Sequence, residues 1–500
     1  MKNLTGKHVL VLGLGYSGLA LARWCARCGA QVTVADTRAE PPQLSALRLA
    51  VPAANFLHTD INGALLDVAA FDMLLKSPGL SPFDTADVSA AAALRGMACG
   101  NELSLLGLAL SDLKADTGYV PQVVGITGTN GKTTVTSLVG QLVQRAGKTV
   151  AIAGNIGPTL LDTLAEKLDA GCLPEVWVLE LSSFQLDGIR TFEPAAATVL
   201  NITQDHLDWH GSFDAYAAAK NNVYGTSGLM LLNRNDARVM AAAPATVKGK
   251  PVRGYVTYGH DEPQRPGDYG IETVNGMAWL VRASEIDETI KRKRGDKPEE
   301  LELHIQRLMP VDALRIHGLH NATNALAALA LANAVGCALG PVLHGLREYK
   351  GEPHRVESVA VIDGIEYFDD SKGTNVGATV AALAGLGAQR KLVVILGGVG
   401  KDQDFSPLAV PVSRFVRAVV LIGRDAPLIA AALEGSGVML HFAESMQEAV
   451  NLSAQQAQPG DAVLMSPACA SFDMFDNYEH RARVFCEAVN ALAQEVGVML

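Results

Sequence analysis

A glycine-rich turn between a predicted strand and a predicted helix constrains this chain more than any other feature. Residues 128–134 read Gly-Thr-Asn-Gly-Lys-Thr-Thr, after an apolar run at 123–126 and before a predicted helix from residue 135. Here backbone N–H groups and the helix N-terminus face an anion, the lysine adds charge and a hydroxyl can hold Mg²⁺. Ile126 stands where the strict pattern has glycine, so the glycines at 125 and 128 make this a variant P-loop, which predicts a nucleotide phosphate site.

Length and composition indicate a globular protein of two or three domains. The chain has 500 residues, of which 49% are hydrophobic and 19% charged, so a single core is too small and disorder is not expected. A net charge of −11 argues against a nucleic-acid partner. We find no apolar run long enough for a signal peptide or for membrane insertion, and the seven cysteines lack disulfide-framework spacing, so a cytoplasmic location is expected.

The first unit, to about residue 100, contains a second glycine turn. Residues 13–18 read Gly-Leu-Gly-Tyr-Ser-Gly between a strand at His8–Leu12 and a helix, and Asp36 ends the next strand. This fits the dinucleotide fingerprint, although physically it requires only a phosphate or nucleotide near a tight turn. NAD, another nucleotide that is hydrogen-bonded by Asp36, Thr37 and Arg38, and a turn without any ligand all stay open.

The rest of the chain alternates predicted strands with helices, which indicates parallel α/β units. The second unit holds the P-loop, and the third has strands near 392–396, 418–422 and 462–465 that end in polar or glycine-rich loops. Such loops at the carboxyl ends of parallel strands are where α/β folds bind ligands. A charged insert at 284–302 has mixed sign, so we interpret it as a solvated excursion and assign it no role.

Two strand ends of the P-loop unit carry side chains suited to metal or substrate. Glu180 ends a buried strand, where it is either a Mg²⁺ partner or a salt-bridged carboxylate. His206 and His210 follow another strand four residues apart, but the glutamate of a zinc protease motif is missing. Contact with substrate or metal is the better interpretation of this second loop.

Eight motifs, in order over nearly the whole chain, resemble the Mur ligases of peptidoglycan synthesis. They are residues 128–134, 154–157, 180–186, 201–206, 320–325, 353–355, 370–375 and 464–471. Within the family, residues 13–18, 36–38, 77–79 and 466–471 are similar to the members that add D-glutamate. The resemblance implies an α/β protein with three domains: an N-terminal Rossmann-like domain (1–100), a central P-loop NTPase-like parallel sheet (101–350) and a C-terminal Rossmann-like domain (351–500).

The implied reaction is ATP-dependent amide bond formation between UDP-N-acetylmuramoyl-L-alanine and D-glutamate through an acyl phosphate. The resemblance assigns ATP binding to Gly128, Thr129, Asn130, Gly131, Lys132, Thr133, Thr134, Asn321, Asn324, Arg355 and Asp370. It assigns the UDP-substrate to Tyr16, Ser17, Asp36, Thr37, Arg38, Gly79 and Asn155. It assigns D-glutamate to Lys372, Thr374, Lys401, Ser471 and Tyr478. A monomer that acts on these small molecules is expected.

The resemblance also implies two Mg²⁺ ions and a modified lysine. The metal residues would be Thr133, Glu180, His206 and Lys220, and the catalytic residues Lys132, His206 and Lys220. Lys220 matches a family lysine that is carbamylated. An ammonium about 4 Å from a divalent ion would be repelled by roughly 8 kcal/mol at an effective dielectric constant near 20, whereas a carbamate reverses the sign.

Three positions depart from the family pattern, and three other functions stay open. Val399 stands where an acidic residue is expected, Gly373 where alanine is expected and Tyr478 where phenylalanine is expected. A folylpolyglutamate synthase would share the P-loop but would not need the first unit. An NAD-dependent dehydrogenase would leave the P-loop idle, and a non-catalytic nucleotide-gated binding protein would bind ATP without substrate-stimulated phosphate release.

Overall fold

A computed structural model describes residues 4–247, 250–285, 303–388 and 390–497. These residues form three α/β units, each built on its own sheet, together with a small separate hairpin in the middle unit. The predicted three-domain α/β fold is confirmed, while the boundaries near residues 100 and 350 stay predictions. Residues 286–302 of the charged insert lie outside the described residues.

The first unit is a five-stranded parallel sheet with the order β3-β2-β1-β4-β5. Its strands are β1 His8–Leu12, β2 Gln31–Asp36, β3 Asn55–His58, β4 Met73–Lys76 and β5 Ala98–Gly100. Its helices are α1 Tyr16–Arg27, α2 Leu44–Ala50 and α3 Ala86–Leu94. The strand order reverses at β1, so the glycine turn between β1 and α1 lies where doubly wound sheets bind ligands.

The middle unit contains a nine-stranded sheet with the order β16-β15-β14-β13-β10-β9-β6-β8-β7. Its strands are β6 Gln122–Thr127, β7 Val150–Gly154, β8 Val176–Glu180, β9 Ala196–Val199, β10 Leu229–Asn233, β13 Tyr255–Tyr258, β14 Tyr269–Val274, β15 Met277–Glu285 and β16 Leu303–Pro310, beside the hairpin β11 Thr246–Val247 and β12 Lys250–Pro251. Its helices are α4 Glu102–Thr117, α5 Lys132–Arg145, α6 Leu160–Asp169, α7 Ser183–Leu186, α8 Leu207–His210, α9 Phe213–Asn221, α10 Ala237–Met240, α11 Leu319–Ala334 and α12 Leu339–Glu348.

The third unit is a six-stranded sheet with the order β17-β18-β22-β19-β20-β21. Its strands are β17 Glu357–Ile362, β18 Ile365–Asp369, β19 Leu392–Gly397, β20 Val416–Ile422, β21 Met439–Phe442 and β22 Ala462–Met465. Its helices are α13 Val376–Gly387, α14 Ala409–Phe415, α15 Ala426–Ala432, α16 Met446–Gln456 and α17 Tyr478–Glu495. The first pair of strands is antiparallel and the remaining pairs are parallel.

The middle sheet is less uniform than the sequence pattern predicts. Seven strands, β6 to β10 with β13 and β14, pair in parallel, and β15 and β16 add an antiparallel extension at one edge. A one-sided extension of this kind alternates half-buried and exposed residues, which weakens the apolar runs that identify buried parallel strands. None of the described helices is long and apolar enough to span a bilayer.

Helix α11 fixes the P-loop helix α5 in place. Its alanine-rich stretch from Ala322 to Ala332 is almost completely buried and belongs to the same apolar cluster as Val135, Leu138 and Val139 of α5. Small alanine side chains allow close approach of two helices, and a well-packed core resists displacement. The N-terminal ends of α5 and α11 therefore lie together at the carboxyl edge of the middle sheet, toward the third unit.

Candidate active site

The P-loop adopts the geometry that its two glycines permit. Gly128 and Gly131 have φ of 154° and 83°, and a Cβ at Gly131 would lie 2.9 Å from Asn324 Oδ1. Helix α5 begins at Lys132, whose ammonium donates to the carbonyl oxygens of Gly128 and Thr129 at 2.9 and 2.8 Å. Burial lowers the pKa of Lys132, and the Glu180 carboxylate opposes that shift. The predicted phosphate loop thus surrounds one half-buried cation, while the Thr129 and Asn130 amides donate to Asn201.

Glu180 lies beside this loop with half of its carboxylate unsatisfied. It ends β8 at 1% exposure, and its Oε1 accepts a hydrogen bond from Asn155 Nδ2 at 3.0 Å. Its Oε2 is buried without a hydrogen-bond partner among the described residues. A buried carboxylate oxygen without a donor is costly unless a cation neutralises it. Glu180 therefore fits the metal role that its sequence position suggests better than it fits a salt bridge.

Lys220 is a buried lysine behind the P-loop. It is 2% exposed on α9, donates to the Gly128 carbonyl oxygen at 2.8 Å, and lies 4.6 Å from the centre of the Tyr216 ring. Burial lowers the pKa of Lys220 well below its usual range, and the Lys132 charge adds to the effect. The neutral amine is the form that forms a carbamate, so this environment favours the modification.

His206 has a left-handed backbone conformation and packs against an aromatic side chain. It has a φ of 53° just before α8, and its ring meets Phe184 edge-on with the centroids 4.7 Å apart. Burial lowers the pKa of His206, while Asp205, 3.6 Å away, opposes the shift. A neutral imidazole can ligate a metal. His210 instead contacts Ser183 Oγ at 2.9 Å, so the two histidines do not form a joint site.

The third unit closes directly onto the P-loop. Arg355 donates to Thr133 Oγ1 at 3.1 Å, and Asn130 and Asn375 exchange two amide hydrogen bonds of 3.1 and 3.0 Å. Asp370 is buried, and its carboxylate accepts a 2.6 Å hydrogen bond from the Ser466 hydroxyl. Burial raises the pKa of Asp370 to about 7, against the opposing effect of that bond.

The predicted amino-acid residues fall into two groups. The Lys372 ammonium lies 5.1 Å from the centre of the Tyr478 ring, close to the P-loop, and Thr374 is on the same loop. Lys401 and Ser471 lie on two further loops of the third unit, the first exposed with a φ of 53° and the second buried. The first three residues therefore lie at the P-loop, and Lys401 is near enough to His206 for its charge to help lower the pKa of that imidazole.

Two cavities open between the middle and third units. The larger, about 550 Å³, is lined by Thr129, Asn130, Lys132, Thr133, Ser137, Asn155, Ile156, Glu180, Asp205, His206, Glu352, Arg355, Lys372, Thr374, Asn375 and Tyr478. The smaller, about 90 Å³, is lined by Asn130, Gly131, Thr134, Asn201, His320, Asn321, Asn324, Arg355, Val356, Asp370, Gly373, Ala378, Ala381 and Ala382. The larger cavity contains the charged groups suited to phosphoryl transfer. The smaller cavity contains the predicted nucleotide residues of α11 and the third unit.

The predicted nucleotide residues of the first unit lie apart from both cavities. Asp36 is buried and binds the Leu14 amide at 2.7 Å and the Arg38 guanidinium through two 2.8 Å bonds. Burial raises the pKa of Asp36, but these hydrogen bonds outweigh it and hold the value near 2. Tyr16, by contrast, is 76% exposed at the start of α1. Asp36 thus fixes the turn and Arg38, which leaves Arg38 and the turn backbone to face a ligand.

Several residues that build this site are not predicted individually from the sequence. Asn375 binds Asn130 across the two units, and Asp205 lies beside His206. Arg481 is 1% exposed and donates to Ser371 twice and to a backbone carbonyl, which fixes the loop that carries Lys372. Asn375 and Asp205 lie inside two of the family motifs, 370–375 and 201–206. Nothing near Arg481 in the sequence distinguishes it from a surface arginine.

Three family models match the chain in succession. The Mur ligase MurD-like N-terminal domain matches residues 7–98, the Mur ligase middle domain matches 126–332, and the Mur ligase glutamate ligase domain matches 354–469. Each match falls on one of the three sheet units. The sequence resemblance is therefore confirmed unit by unit.

Comparisons of the whole chain with known proteins agree with the three domain matches. UDP-N-acetylmuramoylalanine–D-glutamate ligase of Albidiferax ferrireducens is 64% identical over 99% of this chain and 98% of its own length, and that of Ralstonia nicotianae is 57% identical over 100% and 99%. The MurF ligase of Thermotoga maritima in complex with ADP shares the fold over 99% of this chain and 100% of its own, with TM-score 0.57 and 14% identity. A Mycobacterium tuberculosis folylpolyglutamate synthase covers 78% of this chain and 95% of its own, with TM-score 0.51 and 17% identity. This chain belongs to the Mur ligase family.

Proposed function

We infer that this chain is an ATP-dependent ligase that joins D-glutamate to UDP-N-acetylmuramoyl-L-alanine during peptidoglycan synthesis. The observation that carries the inference is full-length identity of 64% to a relative named for that reaction. The site agrees, because a P-loop, a metal-type carboxylate and the half-buried lysines Lys132 and Lys372 line one cavity. A dehydrogenase would leave that cavity unexplained, and the folylpolyglutamate synthase fold covers less of this chain.

The reaction is an activation followed by an acyl transfer. The substrate carboxylate is a poor electrophile, so its oxygen first attacks the γ-phosphorus of ATP, ADP leaves, and an acyl phosphate forms. The D-glutamate amine then attacks the acyl carbon, and inorganic phosphate leaves from the tetrahedral intermediate as the amine loses a proton. Two anions must approach each other in the first step, so positioning and charge neutralisation carry most of the catalysis.

Residues of the P-loop and of the third unit would hold ATP between them. The loop amides and Lys132 would bind its phosphates, since Lys132 is already fixed at the N-terminus of α5. Arg355 would add a second cation, and its contact with Thr133 supports a position beside the phosphates. Asn321, Asn324 and Asp370 line the smaller cavity, which supports a role in holding the nucleoside.

Mg²⁺ would be held by Thr133, Glu180, His206 and the carbamate of Lys220. The donor set fits a hard cation, because Glu180 presents a buried carboxylate oxygen without a donor and a hydroxyl lies on the same cavity. When bound, the ions neutralise the phosphate charge that builds up during transfer. The number of ions, two, comes from the family resemblance and stays part of this proposal.

The two remaining substrates would approach from opposite sides of the P-loop. The UDP portion would bind the glycine turn of the first unit through Tyr16, Ser17, Thr37, Arg38 and Gly79, with Asp36 holding the turn. Asn155 would orient the reacting carboxylate near Lys132. D-glutamate would bind on the third unit through Lys372, Thr374, Lys401, Ser471 and Tyr478, where Lys372 offers a half-buried cation for a carboxylate.

Phosphate release tests the reaction and the substrates together. We expect release with Mg-ATP and UDP-N-acetylmuramoyl-L-alanine to require D-glutamate and to yield a product heavier by one glutamyl residue. L-Glutamate, L-lysine, meso-diaminopimelate and no amino acid serve as the comparison arms. Release with another amino acid would keep the ligase class and refute the substrate; no stimulation by any of them would refute the ligase reaction.

We further propose that the protein is a cytoplasmic monomer. A sedimentation measurement would test the oligomeric state.

A further inference from the structure

A third cavity, of about 330 Å³, lies where the first unit meets the middle unit. Its walls come from the carboxyl ends of β1, β4 and β5 and from the segment 187–191 that follows α7. The Asn101 side chain closes one side by donating to the Gln185 carbonyl oxygen at 2.8 Å. This hinge cavity shares no lining residue with the two cavities at the P-loop, and none of the residues proposed for the UDP-substrate lines it.

The floor of the hinge cavity is apolar, and a poorly paired lysine projects from its wall. Leu12 and Leu74 form the floor, and Lys76 is the last residue of β4. The Lys76 side chain is 21% exposed, and its ammonium lies 3.9 Å from Asp187 and 5.3 Å from the centre of the Trp209 ring. Within the part of the chain that the structure describes, this ammonium makes no hydrogen bond.

Two acids attract the Lys76 ammonium, but among the described residues neither accepts a hydrogen bond from it. Burial lowers the pKa of Lys76, against the attraction of Asp187 and Asp84. Arg190, on the same cavity, is exposed and forms no ion pair with any described residue. An ammonium that has lost much of its water and lacks a hydrogen-bonded partner gains most from a new anionic acceptor.

We propose that the hinge cavity binds a small organic anion whose carboxylate or phosphate pairs with Lys76 while its apolar body lies against Leu12 and Leu74. The volume is in the range of small-molecule sites, and both a domain interface and the carboxyl edge of a parallel sheet are common places for them. The walls belong to two units, so a bound anion holds the first unit against the middle unit. The anion is either a separate molecule or part of the UDP-substrate.

A cysteine on the cavity wall reports the local electrostatic potential. Cys99 is exposed and lines the hinge cavity, and Cys172 is an exposed reference thiol after α6, away from it. We would alkylate the protein at low salt with iodoacetate or with neutral iodoacetamide and measure both peptides by mass spectrometry. The ratio of the two rates cancels differences in thiolate fraction and in access, so it isolates the attraction for the negative reagent.

We expect the iodoacetate-to-iodoacetamide ratio to be higher at Cys99 than at Cys172 by up to about twofold, the effect of one cation at roughly 8 Å in water, which the Asp187 carboxylate partly offsets. Lys76→Met should bring the ratio at Cys99 down to that at Cys172, and Lys76→Arg should retain it. Asp187→Asn should raise it further, because the competing anion is removed. Equal ratios at the two cysteines, unchanged by Lys76→Met, would overturn the proposal. Continued protection of the buried cysteines from labelling verifies that each variant is folded.

Protection of Cys99 from iodoacetamide identifies the source of the anion. Benzoate or phenyl phosphate should slow the labelling of the wild type several-fold and leave Lys76→Met unaffected, if the ligand is a separate molecule. Protection by UDP-N-acetylmuramoyl-L-alanine alone would assign the site to the substrate. Protection by none of the three would overturn the proposal. Neither outcome depends on turnover, so failure here is distinguishable from failure of the proposed ligase reaction.

Discussion

Lys132 and Lys220 donate to one and the same acceptor, the carbonyl oxygen of Gly128, at 2.9 and 2.8 Å. Lys220 is buried and Lys132 is half-buried, and desolvation is the main cause that lowers the pKa of each amine. Two ammonium groups that share one carbonyl oxygen repel each other strongly in a low-dielectric interior. The Glu180 carboxylate opposes the shift most at Lys132, which supports Lys132 as the charged member and Lys220 as the neutral one.

Carbamylation of Lys220 follows from that division of roles. Lys220→Ala should lower kcat at least about a hundredfold, because a negative ligand is lost from a site that must neutralise phosphate. Formate or chloride at high concentration should restore part of the activity, and carbon-13 bicarbonate should give a carbamate signal in the wild type only. Lys167→Ala, at a half-buried lysine on α6 paired with the exposed Glu166, is the matched control and should stay active. Absence of both the rescue and the signal would contradict the carbamate role.

The amide pair between Asn130 and Asn375 should couple the P-loop to the third unit. Asn375 also caps α13 through its Oδ1, so Asn375→Ser, which keeps a capping oxygen, isolates the contact between units better than alanine does. Asn130→Ala and Asn375→Ser should each lower kcat/KM about fivefold, the effect of one hydrogen bond of about 1 kcal/mol. The double variant should lose little more than either single one. Additive losses in this cycle would show that the pair is not coupled.

Gly373 should be intolerant of alanine, although the family pattern leads to alanine at this position. A Cβ there would lie 2.7 Å from Asp370 Oδ2 and 2.9 Å from Ser466 Oγ, which are already joined by a 2.6 Å hydrogen bond. Gly373→Ala should therefore displace the Asp370 carboxylate and raise the KM for ATP roughly tenfold, an effect of about 1.4 kcal/mol. Gly340→Ala, where nothing lies within 4 Å of the new Cβ, is the control and should leave that KM unchanged. An unchanged KM in Gly373→Ala would refute the assignment of Asp370 to ATP.

The sequence predicts most of the fold because buried parallel strands leave a strong local signal. The predicted strand at His8–Leu12 is confirmed at its ends, and the apolar runs before Glu180 and Gly397 fall on strands β8 and β19. The antiparallel strands β15 and β16 are not predicted from the sequence, because their half-exposed residues give no continuous apolar run.

The candidate site is predictable where its chemistry sits in contiguous motifs, as in the P-loop. Contacts across the units are not, because they join residues far apart in the chain. Asn130 and Asn375 are separated by 245 positions, and Arg481 reaches Ser371 across 110. Their partners are fixed by how the third unit packs against the middle one, which no local pattern encodes.

Glu102 should make stability depend on pH at the junction of the first two units. It is the first residue of α4, is 2% exposed, and accepts a hydrogen bond from the Leu161 amide at the start of α6 at 3.0 Å. Burial raises the pKa of Glu102 to about 7, against about 4.3 expected for an unfolded chain. The folded state therefore binds this proton more tightly. The associated stability is fully present below pH 4 and is lost as the pH rises toward 7.

Glu102→Gln should consequently stabilise the protein at pH 8.5 and change little at pH 4 or below. The gain at high pH should be about 1–2 kcal/mol, less than the full linkage value because the new amide leaves buried N–H donors without acceptors. Urea unfolding midpoints of wild type and variant at the two pH values measure it. Asp162 is the nearby acid to control for, since its charge also raises the pKa of Glu102 and it forms an ion pair with Arg23 at 3.7 Å. In Asp162→Asn the urea midpoint should still fall as the pH rises, but the fall should occur at a lower pH, because the pKa of Glu102 is raised less. A stabilisation by Glu102→Gln that is equal at both pH values would show that Glu102 does not titrate in this range.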